Sequence, residues 1–280
     1  MGNTIIWLLL LASIARGQAI LAPSGRTLFN KNLLIRSFTR LERLEISRDG
    51  ATMNRAVYIQ PLAVVYGIAP DWNVTAVLPY VVAESNGWAD AQFFLKYDGL
   101  LKRNVPGGHD RLSAEFGVQA PARADRFSTG AFAYIGNAVF QTTRKQKFFT
   151  ADVQYKAATR NDNGITTGNT TNADVAVAYF WLPRPEQARN PLSRLLSRMA
   201  SQGLIGVLEL NGEVQDRART RTATLPNTGG GTMLLSPGVQ YFLRRNLMLE
   251  LSLPIPVVHE LNGLQPKPLV GALIGFRLLL

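Results

Sequence analysis

The residue types that most often carry chemistry are scarce in this chain. It has no cysteine, which excludes a thiol nucleophile, a disulfide frame and a zinc–thiolate centre. Only two histidines occur, His109 and His259. Neither has a second histidine at metal-ligand spacing, and neither has a serine and an acid placed to complete a hydrolase triad. Both sit beside loop-like residues, Gly107 and Gly108 in one case and Glu260 in the other, and read as solvated loop positions. The expectation is a protein that is not an enzyme and uses no cofactor or metal. What remains is charge at spaced positions: Asp90 and Lys96, Asp152 and Lys156, Asp174, Glu209 and Glu213, Glu250, and Arg277. Such spacing means something only on an element that gathers these side chains on one face.

That element is a strand. From Asn246 to Val257 every odd position is Leu, Ile or Val, while the even positions hold Asn, Met, Glu, Ser and two prolines. Strand side chains alternate sides, so this segment has one aliphatic and one mostly polar face, a sorting no helix produces. Phe149, Ala151, Val153 and Tyr155 oppose Thr150, Asp152, Gln154 and Lys156 in the same way. So do Val175, Val177, Tyr179 and Trp181 against Asn172 and Asp174, and Leu204, Leu208, Leu210 and Val214 against Glu209, Asn211 and Glu213. Phe93, Leu95 and Tyr97 oppose Asp90, Gln92, Lys96 and Asp98, and Phe116 and Val118 oppose Glu115 and Gln119. Weaker alternation covers 33–44, 55–68, 72–83, 128–141, 232–243 and 269–280, which brings the predicted strands to about twelve. Only 190–200 has helical spacing, with Leu192, Leu195, Leu196 and Met199 along one side.

A soluble β-sandwich alternates too. Three features favour a transmembrane barrel. Aliphatic faces end in aromatic residues, as at Tyr179 and Trp181, which fits a lipid-facing band with an interfacial girdle. Connections alternate in length: those at 69–71, 143–146 and 244–245 are short, whereas 158–171 and 216–231 are long and rich in Asn, Thr and Gly. An even strand number puts both termini on the periplasmic side. Against this order, 102–110 and 184–202 read as long connections where short turns are expected. Pro61, Pro79, Pro237, Pro254 and Pro256 fall within strands, where each removes a ladder hydrogen bond, so bulges or strand ends are expected there.

Residues 1–19 read as a cleavable signal peptide: an apolar run from Ile5 to Ala12 is followed by a small-x-small site at Gly17-Gln18-Ala19. The run is shorter than the roughly 20 residues of a spanning helix. Residues 20–280 then form an all-β, antiparallel, up-and-down outer-membrane barrel. The net charge of +11 points away from nucleic acid, because no helix carries an aromatic-interleaved basic face and ten of the arginines lie in predicted connections: Arg123, Arg126 and Arg160, then Arg217, Arg219 and Arg221, then Arg184, Arg189, Arg194 and Arg198.

Several short tracts occur in a telling order: Leu78-Pro79-Tyr80, Gly87-Trp88-Ala89-Asp90 leading to Lys96-Tyr97, Gly117-Val118-Gln119-Ala120-Pro121, Glu209-Leu210-Asn211-Gly212-Glu213, and Ser236-Pro237-Gly238. Together they resemble the outer-membrane transporter family associated with phenol meta-cleavage pathways. Trp88 and Ala89 depart from the small-x-glycine part of that family's aspartate tract. The resemblance implies a barrel that passes small aromatic or apolar compounds, with no catalytic residues.

The expected function is passage of a small solute through a narrow charged lumen lined by Asp90, Lys96, Asp152, Lys156, Asp174, Glu209, Glu213, Glu250 and Arg277. The expected partners are outer-membrane lipid and that solute, and the sequence leaves the oligomeric state open. The alternative is a non-conducting structural or adhesive barrel whose inner charges pair off.

Overall fold

The computed structural model describes residues 20–21, 27–28, 30–48, 51–83, 86–122, 127–181, 203–244 and 246–280. The expected signal peptide, the helical segment 190–200, and Arg123, Arg126, Arg184, Arg189, Arg194 and Arg198 lie outside these residues. Strands account for the architecture. They are β1 (Leu33–Arg48), β2 (Ala51–Ala69), β3 (Trp72–Val82), β4 (Asn86–Trp88), β5 (Ala91–Val105), β6 (Gly108–Ala120) and β7 (Ala133–Arg144). They continue as β8 (Lys147–Ala158), β9 (Thr170–Trp181), β10 (Leu204–Gln215), β11 (Gly230–Arg244), β12 (Leu247–Ser252), β13 (Ile255–Leu261) and β14 (Lys267–Leu279).

All pairings are antiparallel and run between neighbours in sequence except that β3 reaches past β4 to β5, β11 pairs with both β12 and β13, and β12 reaches past β13 to β14; β1 pairs with β14 from Leu34↔Leu279 to Glu45↔Lys267. That last ladder closes the sheet into a ring of twelve staves, because β4 is a short piece ahead of β5 and β12 and β13 share one stave. Closure removes the free edges that an open sheet would present. Among the described residues no helix is long and apolar enough to cross a membrane.

Alternation assigns the two faces. On β9, Val175 and Val177 are 42% and 48% exposed on the outside, while Ala176 between them is 3% exposed. The aliphatic face read from β14 also points outward, with Ile274 and Phe276 exposed and Leu273 and Arg277 buried. Apolar residues thus cover the outside of the ring, the reverse of a soluble sandwich, whose apolar faces meet each other.

One end of the barrel carries tight turns. Pro70-Asp71 and Pro106-Gly107 each set a proline before a residue at positive φ, 70° at Asp71 and 73° at Gly107. The second turn corrects the long connection expected at 102–110: Leu101 to Val105 pair with Leu112 to Gly108, so β5 and β6 run on to a two-residue turn. Lys102, Arg103 and Asn104 hid those strands, because their polarity resembles a loop.

The prolines interrupt ladders as expected, with one exception. Pro254 separates β12 from β13, and β11 changes partner from β12 to β13 just beyond Pro237. Pro256 lies beside a register shift at Met233 and Leu234. Pro79 stands where β3 stops pairing with β5 and pairs with β4 instead. Pro61 makes neither a bulge nor a strand end. The β1–β2 ladder skips it and resumes in unchanged register, from Ser37↔Leu62 to Arg40↔Ile59.

Candidate functional site

The candidate site is the bore, and its inner face is neither empty nor uniform. Near the short-turn end, Phe148, Ala178, Ile205, Val207 and Leu273 form an apolar cluster around Ile20, with Leu21, Phe38, Phe180 and Phe242 packed against it. Ile20 and Leu21 belong to a segment preceding β1 that enters the barrel. The Glu209 carboxylate accepts hydrogen bonds from the backbone N–H of Ile20 and of Leu21, and the Arg36 guanidinium donates to the Ile20 carbonyl. Further along, the Leu28 N–H donates to Asn73 Oδ1 at 3.1 Å and the Thr27 N–H to Asp98 at 3.4 Å. Asn73 and Asp98 sit on β3 and β5, across the ring from Glu209 on β10, so the strap, residues 20–21 and 27–28, is held at opposite walls of the bore.

Beside the strap lies a built ion cluster. Arg36 and Arg277 are direct partners across the β1–β14 ladder, a repulsive arrangement by itself. Glu250 resolves it, receiving Arg36 Nε at 2.9 Å and Arg277 Nη2 at 2.7 Å, with Gln240 Nε2 donating at 2.9 Å. Glu250 is 1% exposed, and the two guanidinium groups that meet it make such burial tolerable.

The wall from β5 to β10 is arranged differently. Lys96 stands opposite Glu115, and Asn137 Nδ2 donates to Glu115 Oε2 at 3.2 Å. Asp152 on β8 stands directly opposite Asp174 on β9, two carboxylates where opposite charges would be favourable. Asn211 Nδ2 donates to Asp174 at 3.2 Å and is itself opposite it on β10. Among the described residues Asp152 Oδ1 and Asn137 Oδ1 have no hydrogen-bond partner, although both are buried.

The structure therefore brings Lys96, Asp152, Asp174, Glu209, Glu250 and Arg277 to the inner face in two groups. Glu213 and Lys156 share that face nearer the long-loop end, Glu213 being exposed and Lys156 half-buried. Asp90 is placed apart, between β4 and β5, where it ties down the loop after β6. Its carboxylate accepts from Gln119 Nε2 at 2.9 Å and from the N–H groups of Ala122 and Thr129, both at 3.1 Å, and from the Thr129 hydroxyl. Burial opposes ionisation there, but hydrogen bonds from Ser128, Thr129 and Ala122 together hold the Asp90 carboxyl below the usual carboxylate range.

The spacing argument missed Arg36, whose strand alternates weakly, and Glu115, which was visible on the polar face of β6. His109 is corrected: it is a buried strand residue in contact with the Thr143 hydroxyl at 3.2 Å, not a loop position. His259 is exposed on β13. The two long loops that follow β8 and β10 are tied together, because Thr166 and Arg219 exchange backbone hydrogen bonds of 2.8 and 2.9 Å between them.

On the outer wall a groove of about 890 Å³ is lined by residues such as Val177, Tyr179, Trp181, Leu208, Val239 and Leu251. Its lining is almost wholly apolar and faces away from every charged group just described. Such a surface suits hydrocarbon.

An all-β closed barrel with an apolar outside and a charged inside defines the outer-membrane class of β-barrels. No protein-family model matches the sequence, and no curated protein is similar enough in sequence to match. Solved structures do match. The COG4313 outer-membrane channel from Pseudomonas putida F1 superposes with a TM-score of 0.69 over 94% of this chain and 100% of that one, at 12% identity. The NanC porin superposes with a TM-score of 0.52 over 88% of this chain and 98% of that one, at 14% identity. At these identities the similarity is one of fold.

Proposed function

We propose that the chain resides in the outer membrane of a Gram-negative bacterium and passes a small solute through its bore. The observation that carries this reading is the two-faced ring: exposed aliphatic side chains surround a closed sheet whose interior holds ionised groups. The fold shared with an outer-membrane channel and a porin supports it. Eight-stranded barrels are filled by side chains and sixteen-stranded porins are wide, so twelve staves leave a narrow passage. The tracts around Pro79, Asp90 and Pro237 add aromatic or apolar compounds as the solute class. The inner carboxylates Glu115, Asp152, Asp174 and Glu213 outnumber the nearby Lys96 and Lys156, so the bore favours cations although the whole chain carries +11.

A second reading, a structural barrel that conducts nothing, is favoured by the strap and the apolar cluster, which occupy the short-turn half of the bore. Planar-bilayer recording separates the two. Purified protein and a form lacking residues 20–28 are compared under a salt gradient. The channel reading expects cation-preferring current that rises when the strap is removed. Absence of current from both forms contradicts it.

A further inference from the structure

The most elaborate constellation in the bore is built around a piece of backbone. Glu209 accepts from two consecutive N–H groups, Ile20 and Leu21, while Arg36 holds the carbonyl between them. The Ile20 side chain is fully buried, and its seat requires a glycine: a Cβ on Gly238 would lie 2.6 Å from Ile20 Cδ1 and 2.8 Å from the Leu251 carbonyl oxygen. A site that fixes the first polar atoms of one residue this completely is the arrangement by which proteins capture a chain end.

Removal of the expected signal peptide, residues 1–19, would leave Ile20 as the first residue. In the processed protein the nitrogen bonded to Glu209 is then not a peptide N–H but an α-ammonium, with three donors and a full charge. Asp174 on β9 and Asp152 on β8 lie within electrostatic range of Glu209, and on the other side Arg36 divides its guanidinium between Glu250 and the Ile20 carbonyl. A peptide nitrogen would bring no charge to this acidic wall. We propose that Glu209 is a receptor for the α-ammonium of Ile20, so that removal of the leader creates the group that locks the strap inside the barrel. This rests on the cleavage position and on no particular solute, so it can fail while the channel reading stands, and the reverse.

The test uses full-length protein exported and purified from outer membranes. N-terminal sequencing is expected to give Ile20 as the first residue. The folded protein is then treated with an amine-reactive reagent and the N-terminal peptide quantified after digestion. Labelling of that peptide is expected to be at least tenfold slower in the folded protein than in its urea-unfolded chain, and at least tenfold faster in folded Glu209→Gln than in folded wild type. Inserting one alanine between Ala19 and Ile20 leaves Glu209 in place but moves the ammonium by a residue, and is expected to remove the protection equally. A different first residue, or equal labelling of folded wild type and the insertion variant, overturns the proposal.

Discussion

Two walls of the same bore handle charge in opposite ways. Along β1, β12 and β14, two neighbouring arginines share one buried glutamate, so each cation has a counter-charge although the three groups together keep a net charge of +1. Along β8 and β9, two aspartates face each other, and Asp152 retains an oxygen with no partner among the described residues. Breaking the first arrangement strands buried cations, whereas the second sets like charges side by side. A buried like-charge pair is retained only if something other than stability favours it, and in a bore that something is the field felt by whatever passes or docks. The strap respects the same division, since Glu209 stands where the paired wall meets the acidic one.

Substitutions sharpen this contrast, beginning with the largest effect. Glu250→Ala leaves Arg36 and Arg277 buried and unreconciled, and should cost about 3–5 kcal/mol. Urea unfolding in detergent, followed by heat-dependent gel mobility, measures it. A loss no greater than that of an exposed acid such as Glu260 would remove the distinction between the walls. Val175→Arg, at mid-strand on the outside of β9, should cost about 2–4 kcal/mol in a bilayer if that face meets hydrocarbon, measured by the same unfolding in lipid vesicles.

Asp90→Ala removes several hydrogen bonds to an ionised group, worth about 1.5–3 kcal/mol in sum for the loop. Because the Asp90 carboxyl is held below its ordinary value, its contribution is present above the unfolded value near 4 and is lost as pH falls through the folded one. Limited proteolysis of the loop after β6 should therefore speed up below about pH 4 in wild type, and be fast at every pH in the variant. The smallest change is expected from Asp152→Asn, which relieves the pair with Asp174: stability rises by up to about 1 kcal/mol while cation preference falls. A stability loss with unchanged selectivity would show that the acidic wall serves the fold.

Much of the architecture was legible because period-two alternation records both faces of each strand. The staves carrying Asp152, Asp174, Glu209 and Glu250 were legible for that reason, and Pro254 announced the break in its own stave. The alternation was silent on what the inner face touches. Phe148, Ile205 and Leu273 pack around Ile20, and nothing local in the sequence says that a residue beside the leader returns to fill the bore. Glu209 could be placed on the inside but its partner could not, since the two are joined by a contact 189 residues apart in sequence. Asp90 could be placed by its spacing but its partners could not, since Gln119, Ala122 and Thr129 only come within reach once β6 and β5 are paired.

The division of faces on β9 is the premise behind every one of these expectations. The chain has no cysteine, so single-site labels carry no background. Asp174→Cys, Val175→Cys, Ala176→Cys and Val177→Cys can each be given an environment-sensitive fluorophore and reconstituted in vesicles containing brominated lipid. Quenching at 175 and 177 with none at 174 and 176 is the predicted result. Uniform quenching, or none at any of the four, would contradict it.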